Sequence, residues 1–456
     1  MTGTARTTCT TRTTSDAAVP HADAAREICA RVLDRLADPA ATAADTRIPA
    51  EASWVGEDEP LWSDLSLSSG YPGVSLAFSG STPREEGHSA RAHGYLARAM
   101  TALTTERHPT DGIYSGPGAV AFATLVAHRA TGGYRTALAR LDEFQRRLVR
   151  TALPAVTDGP AATNGQYETV RGVSGIGRYL LARGETCHAE LELILRYLTA
   201  MAEGEVTHRG RKVPRWWTLA APKAGQEAEL PDGHLNLGLS HGVSGPLALL
   251  SLAWREGVVV DGQREAIEAL IALLTRWARP EGDDGGVSWP GYVTFDQWNV
   301  GPESGSGPAP QRPSWCYGAP GVSRAVQLAA LALDRPDWHA LVDRSVRALI
   351  AEPPGAWVTD DPGLCHGWGG LLHLLGLLNE HLGDERVARV RDELAAVTVA
   401  QFREEHRFGF RATFTHVPQG ADVPAFLEGA AGTALALDAY AEGGAVAGWD
   451  MALLVT

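Results

Sequence analysis

Three side chains that can bind a metal ion occupy equivalent places in a repeated sequence unit. Cys316 lies in WCYGAPG, and Cys365 and His366 lie in LCHGWGG, in each case just before a Gly-x-x-Gly turn. Two thiolates and one imidazole with an open fourth position form a catalytic zinc set, since structural zinc sites are usually closed by four protein ligands. Thiolates also favour zinc over harder cations such as magnesium. A cysteine beside a histidine would by itself suit a buried apolar position, but the register shared with Cys316 favours one zinc ion per chain.

A further histidine shares this register without being needed for the metal. His241, in LSHGVSG, stands immediately before the first glycine of its turn, as Tyr317 and His366 do. Histidine titrates near neutral pH and commonly transfers protons in enzymes. His241 is therefore the candidate for proton transfer at the same site.

The glycine turns that carry these side chains recur seven times along the chain. Their second glycines are Gly73, Gly118, Gly175, Gly245, Gly321, Gly370 and Gly432. An apolar run follows each turn, and amphipathic segments such as REAIEALIALLTRWA lie between them. A helix that is apolar on all sides lies inside a fold, whereas a helix with one apolar face lies outside. The pattern predicts an all-α fold, an α/α toroid of seven inner and seven outer helices with short β or loop insertions, whose inner helices all begin at one rim.

The glycines themselves favour a structural role. Glycine permits positive φ and close approach of backbones, which suits crowded helix starts around a common axis. A phosphate-binding role is disfavoured, because no basic residue follows the glycines as in a P-loop. We therefore expect the turns to build the toroid and to present the residues before them at its rim.

Two long loops interrupt the repeats, at residues 203–238 and 280–314. Both lead into candidate site residues, so they could form a lid or a wall of a substrate site, or be simple solvated loops. The segment GVSWPGYVTFDQWN alternates aromatic and polar residues, which predicts a short hairpin. Residues 1–20 are expected to be a disordered polar tail, and residues 21–456 a single toroid domain.

Composition excludes several classes of function. The formal net charge of −14 disfavours nucleic-acid partners, and no run of 18 apolar residues predicts a membrane span. The N-terminal tail lacks the apolar core of a signal peptide. Five cysteines in 456 residues do not form a disulfide framework, and Cys9, Cys29 and Cys187 lie outside the repeated register. A cytoplasmic protein with reduced thiols is expected.

The seven glycine turns, together with NLGLSHG, WCYGAPG and LCHG in this order, resemble the lanthionine synthetase C-like (LanC) family of lanthipeptide cyclases. The resemblance covers residues 22–456. It implies an α/α toroid with seven inner and seven outer helices. It also implies that one zinc ion is held by Cys316, Cys365 and His366.

The same resemblance implies active-site roles for His241, Tyr317 and Arg312. Arg312 would stabilise an oxyanion, the alternative being an ion pair with a loop carboxylate. Tyr317 would donate a hydrogen bond or position the substrate, the alternative being packing at the rim. Glu168, in YETVRG, stands where the family cyclases have an aspartate, so its carboxylate is one methylene further from the backbone. Trp315 is expected to contact the substrate.

The function implied is that of a stand-alone, zinc-dependent lanthipeptide cyclase of lantibiotic biosynthesis. Peptide cysteine thiols would add to dehydroalanine or dehydrobutyrine and form (methyl)lanthionine thioether rings. The partner would be a precursor peptide with its leader, dehydrated by a separate dehydratase, because no kinase or phospholyase motif precedes the toroid. The main alternative is a non-catalytic LanC-like scaffold that binds zinc and a thiol peptide. Toroid enzymes of isoprenoids or glycans are disfavoured, since a glycosidase would need paired acids. The Ala-, Arg-, Gly- and Pro-rich composition is typical of a GC-rich bacterial genome.

Overall fold

The computed structural model describes residues 19–48, 50, 57–82, 87–105, 112–221, 226–282, 284–302, 312–357, 359–414 and 417–456. The expected polar tail, residues 1–20, lies almost wholly outside these ranges. The tail and the domain boundary at residue 21 therefore stay predictions.

Seven helices within the described ranges are buried on nearly all sides. They are α3 (Tyr71–Ser79), α5 (Gly116–Thr131), α7 (Val173–Arg183), α9 (Ser244–Arg255), α12 (Ala319–Leu333), α14 (Trp368–Leu382) and α16 (Ala430–Glu442). Each begins at one of the seven glycine turns, as the sequence predicts. Despite their apolar character, none of the helices in the described part of the chain is long and apolar enough to cross a lipid bilayer.

Seven further helices of the described chain surround this inner set. They are α1 (Ala22–Arg35), α4 (His88–Thr105), α6 (Arg135–Ala152), α8 (His188–Ala202), α10 (Gln263–Arg276), α13 (Pro336–Ala351) and α15 (Glu385–Ala400). Each buries one face: in α6 the buried positions include Leu138, Leu141, Gln145 and Val149, which recur at helical spacing. Helix α1 packs against α16, and α16 packs against α3, so the first and last hairpins close the ring. The predicted α/α toroid is confirmed.

Short elements decorate the ring. The remaining α-helices are α2 (Pro39–Ala44) and α11 (Phe295–Val300). The strands are β1 (Arg47–Ile48), β2 (Glu59–Pro60), β3 (Glu205–His208), β4 (Arg211–Pro214), β5 (His234–Asn236), β6 (Arg279–Glu281), β7 (Gly286–Ser288), β8 (Tyr292–Thr294), β9 (Ala412–Phe414) and β10 (Val417–Ala421). They pair antiparallel as β1–β2, β3–β4, β5–β8, β6–β7 and β9–β10.

The hairpin predicted in GVSWPGYVTFDQWN is wrong in its pairing. Strands β7 and β8 both lie in this segment, but β7 pairs with β6 and β8 pairs with β5. The segment then ends in α11, which Thr294 caps with a capping box. Through the β5–β8 pair, the two long loops of the sequence contact each other, and nothing local in either loop indicates that pairing.

Close packing, and not positive φ, explains the second glycine of each turn. At Gly370 an added Cβ would overlap the carbonyl oxygen of Leu364, and at Gly321 it would overlap that of Trp315. In all seven turns the carbonyl oxygen six residues earlier lies within 3.2 Å of the Cβ position. Positive φ is instead found at Gly318, the cap of α12, where φ is 81°.

Backbone hydrogen bonds join neighbouring turns along the rim. The Leu239 N–H donates to the Cys316 carbonyl (3.1 Å), and the Cys316 N–H donates to the Cys365 carbonyl (3.3 Å). The Cys365 N–H donates in turn to the carbonyl of Leu427 (2.9 Å). The two cysteines are thus links in this chain of hydrogen bonds, which aligns side chains from separate repeats at one rim.

The last residues of the chain fill the middle of the ring. Four side chains of the ring donate hydrogen bonds to backbone carbonyl oxygens of this segment. The pairs are Tyr114 Oη with Ala452 (2.9 Å), Trp315 Nε1 with Leu453 (2.9 Å), Arg324 Nε with Val455 (2.8 Å) and Arg178 Nε with Thr456 (2.6 Å). The donors come from the turns or inner helices of three different hairpins. The core of the toroid is therefore built around this segment, directly beneath the residue that precedes Cys316.

Candidate metal centre and active site

The three predicted metal ligands converge at the rim. One ligand atom from each of Cys316, Cys365 and His366 lies within 4.8 Å of the other two. Two sulfur ligands of one tetrahedral zinc ion would be about 3.8 Å apart at Zn–S distances of about 2.3 Å. The three atoms are therefore close enough to share one metal ion, and their soft donor set suits zinc. Three protein ligands leave a fourth position for an incoming group.

Hydrogen bonding within the cluster favours a thiolate on Cys316. The thiol of Cys365 donates a hydrogen bond to the Cys316 sulfur, and His366 and Ser314 also donate to it. Burial would raise the pKa of Cys316, but these hydrogen bonds outweigh burial and hold that pKa well below its ordinary value. The Ser314 hydroxyl lies 3.4 Å from that sulfur. The same hydrogen bond and burial raise the pKa of Cys365. One negative charge is thus already accommodated at the position where a metal cation would bind.

A histidine–carboxylate pair lies beside the cluster. His241 Nδ1 is 2.5 Å from a carboxylate oxygen of Glu168, and the Glu168 side chain is only 1% exposed. Burial alone would lower the pKa of His241, but the hydrogen bond and the charge of Glu168 outweigh it and raise that pKa. The pair comes from the third and fourth glycine turns, so the ring assembles it from distant parts of the sequence.

Glu168 is held in place by the start of its own turn. Its other carboxylate oxygen accepts hydrogen bonds from the backbone N–H groups of Arg171 and Gly172, the latter at 2.8 Å. Carboxylates are stabilised at helix starts, where N–H groups lack intrahelical partners. The longer side chain of glutamate therefore both caps the start of α7 and reaches His241.

Tyr317 faces the same opening. Its hydroxyl accepts a hydrogen bond from Asn236 Nδ2 at 3.1 Å, and its ring centroid lies 6.4 Å from that of His241. Burial raises the pKa of Tyr317, so the phenol stays protonated near neutral pH. The hydroxyl can therefore still donate its proton in a hydrogen bond.

The other two predicted site residues occupy different surroundings. Arg312 is exposed, and its positive charge is close enough to act on His366 and Glu428. No ion-pair partner of its guanidinium is found in the described ranges of the chain. Trp315 is 1% exposed and lies beneath the cluster, bound to the Leu453 carbonyl. Because a substrate needs an accessible surface, this position disfavours the predicted contact of Trp315 with substrate.

Glu428 lies at the candidate site and is not among the residues predicted from the sequence. Its carboxylate lies 3.8 Å from His366 Nδ1, and burial raises its pKa. It stands immediately before Gly429, in the register that His366 and His241 occupy in their own turns. That register was the available signal, but an acidic residue there did not match the pattern of cysteine and histidine.

Comparison with known proteins agrees with this architecture. The family model described as lanthionine synthetase C-like protein matches residues 61–454. The nisin biosynthesis protein NisC of Lactococcus lactis subsp. lactis is 24% identical over 351 residues, which cover 75% of this chain and 80% of NisC. The solved structure of a nisin cyclase superimposes with a TM-score of 0.71 at 22% identity, covering 86% of this chain and 92% of that one. The chain therefore belongs to the lanthionine synthetase C-like family.

Proposed function

We propose that this protein is a zinc-dependent lanthipeptide cyclase. The observation that carries the proposal is the convergence of Cys316, Cys365 and His366 at one rim, beside the pair formed by His241 and Glu168. Similarity to proteins named for nisin biosynthesis and cyclisation supports the same reaction class. The reaction joins a peptide cysteine to dehydroalanine or dehydrobutyrine and yields a (methyl)lanthionine ring.

The proposed addition balances without any other reactant. The sulfur of the substrate cysteine forms a bond to the β-carbon of the dehydro residue, and the electrons of the C=C bond move toward the adjacent carbonyl. The thiol proton is lost, and one proton is added at the α-carbon. When bound by Cys316, Cys365 and His366, zinc would lower the pKa of the substrate thiol and hold it as a thiolate.

The residues around the ligands would move the proton and stabilise charge. His241 would carry the proton between the substrate and solvent, since Glu168 orients its ring and favours the protonated form. The Tyr317 hydroxyl and the Arg312 guanidinium would stabilise the oxyanion that develops on the substrate carbonyl. We assign Trp315 a supporting role, because it packs under the ligands and joins them to the centre of the ring.

The proposed partner is a dehydrated precursor peptide that carries its leader, made by a separate dehydratase. We propose a cytoplasmic location, because Cys29, Cys187, Cys316 and Cys365 are free thiols in the described part of the chain. Only reduced cysteines can bind zinc and leave a peptide thiol free to react.

Metal analysis and a cyclisation assay test the proposal together. Wild-type protein should contain one zinc ion, and Cys316→Ala and Cys365→Ala should lose it while circular dichroism remains that of a folded helical protein. On a dehydrated peptide, wild type should consume free thiols faster than a control without protein. His241→Asn should keep zinc but lose about 100- to 10,000-fold in rate, the usual effect of removing a general acid–base.

The scaffold alternative gives a different result in the same assay. Wild-type protein that binds zinc and the peptide, yet never exceeds the rate of the uncatalysed addition, would establish a binding protein. Full zinc content in either cysteine variant would refute the ligand assignment.

A further inference from the structure

A cavity lies beside the turn that carries Cys316 and does not include the three candidate metal ligands. Its volume is about 780 Å³, within the range typical of ligand-binding pockets. The walls come from β6 and β7, from the C-terminal half of α13, and from the turn before α12. None of the three ligand residues lines it in the described structure. We refer to it as the side cavity.

The walls of the side cavity are mainly apolar. Val287, Trp289, Pro313, Leu349 and Trp357 line it, and both tryptophans are at most 5% exposed. Charged residues lie at its edge and carry both signs, so no net charge selects an ionic ligand. A cavity of this kind suits a large apolar side chain, whose burial is favourable roughly in proportion to the area removed from water.

Two polar groups in the walls lack partners. The Ser345 hydroxyl and the Trp357 indole N–H form no hydrogen bond with any described residue, although both atoms are buried. Ser345 has no exposed surface at all. Since neither atom is accessible from the cavity, neither can contact a molecule seated there, and recognition of a ligand rests on the apolar walls.

Sequence continuity connects the side cavity to the reactive centre. Arg312 and Gly318, which both line it, flank Cys316 in the chain. A molecule seated in the cavity would therefore contact the segment that positions Cys316. This argues for a second part of the same substrate over an unrelated small molecule.

We propose that the side cavity binds a large apolar side chain of the peptide substrate, a few residues from the reacting cysteine. The identification of the ligand as a peptide rests on the proposed cyclase function. The site would make ring formation depend on the residues that surround each cysteine.

Capped tripeptides without a thiol test the side cavity separately from the metal. The probes are acetyl-Phe-Gly-Ser-amide and acetyl-Gly-Gly-Ser-amide, titrated calorimetrically into the intact, zinc-loaded protein. Wild type should bind the phenylalanine peptide about tenfold more tightly or better, since burial of one large apolar side chain is typically worth that factor.

One variant and its matched control examine the walls of the cavity. Leu349→Trp fills existing space and should abolish the preference for phenylalanine, whereas Leu193→Trp, the same change at an exposed position of α8, should retain it.

The outcomes separate this inference from the cyclase proposal. Wild-type protein that forms rings on a dehydrated peptide but binds both tripeptides equally would overturn the side cavity and leave the cyclase intact. A phenylalanine preference that survives Leu349→Trp would also overturn it. A preference lost in Leu349→Trp, in a protein that forms no rings, would support the cavity as a peptide-binding site and reject the cyclase.

Discussion

His241 and Glu168 form a hydrogen-bonded pair at the candidate active site. One carboxylate oxygen of Glu168 accepts hydrogen bonds from two backbone N–H groups, which fix the side chain. The other oxygen is hydrogen-bonded to His241. The histidine is more accessible, with 39% of its side chain exposed. The buried partner therefore sets the orientation and charge of the accessible one, an arrangement that is typical of groups that transfer protons.

Removing the charge of Glu168 should shift the pH dependence of catalysis. In wild type the carboxylate raises the pKa of His241, so the imidazolium persists to higher pH than in free histidine. In Glu168→Gln that pKa should fall, and the limb of the pH–rate profile that reports His241 should move to lower pH.

The His241–Glu168 interaction also stabilises the fold below the unfolded pKa of histidine and loses this effect as pH rises through the folded value.

Cyclisation rates of the Glu168→Gln variant across pH 5 to 9 would measure this shift. Zinc content should stay unchanged, because Glu168 is not a ligand. Glu168→Asp provides the matched control, since it keeps the charge and should leave the limb closer to that of wild type. An unshifted profile in Glu168→Gln would show that the carboxylate does not tune His241.

The glycine turns are the elements that place the proposed metal ligands. Leu364 directly precedes Cys365 and His366, and its carbonyl oxygen occupies the space that a side chain on Gly370 would need. The turn and the first turn of α14 are therefore packed backbone against backbone. Any added atom at Gly370 must move the segment that holds two of the three ligands.

Gly370→Ala should therefore weaken both the fold and the metal site. A backbone clash of this kind costs about 1–3 kcal/mol or more of unfolding free energy, and zinc affinity should fall because two ligands shift together. Gly159→Ala is the matched control, since open space surrounds its Cβ position. Urea unfolding and competition with a zinc chelator would measure the two effects. Equal behaviour of the two variants would contradict the packing argument.

At the scale of helices and turns, the sequence predicts a large part of the structure. The inner helices follow from apolar runs after glycine pairs, and Cys316, Cys365 and His366 follow from their shared register, because both signals are local and repeated. The reach of Glu168 to His241 depends on the geometry of two separate turns, so the sequence leaves it open. The β5–β8 pair and the side cavity arise from contacts between distant loops, which have no local signature.

At the scale of the whole molecule, the C-terminal segment fills the centre of the ring and is bonded to its inner helices. Asp450 accepts hydrogen bonds from His373 on α14 (3.0 Å) and from Thr456 (3.0 Å). Trp449 packs against Phe426 and His373 with ring centroids 6.0 and 4.8 Å away. Without this segment, polar atoms of the inner helices, among them Arg178 Nε and Arg324 Nε, would lose their hydrogen-bond acceptors. The sequence of the segment alone gives no sign of this position.

Arg324→Met should expose the contribution of these central contacts. Arg324 is buried, and burial lowers its pKa to about 10, so it remains charged near neutral pH. It donates to the carbonyl oxygens of Val455 and Leu377 and to Gln327 Oε1. Methionine fills similar space without a donor. Unpairing the two fully buried acceptors, on Val455 and Gln327, at about 1–3 kcal/mol each predicts a loss of about 2–6 kcal/mol in unfolding free energy.

The matched control for this change is Arg347→Met, which removes an exposed ion pair with Asp343 on α13. Such pairs contribute little, so the control should change stability by no more than about 0.5 kcal/mol. Thermal and urea unfolding of both variants would give the comparison.

Because Trp315 joins the same central segment to the turn of Cys316, Arg324→Met should also release zinc more readily to a chelator than Arg347→Met does. If the two variants unfold alike and hold zinc alike, the central segment does not support the rim, and the ring of backbone hydrogen bonds must be sufficient to hold the metal ligands.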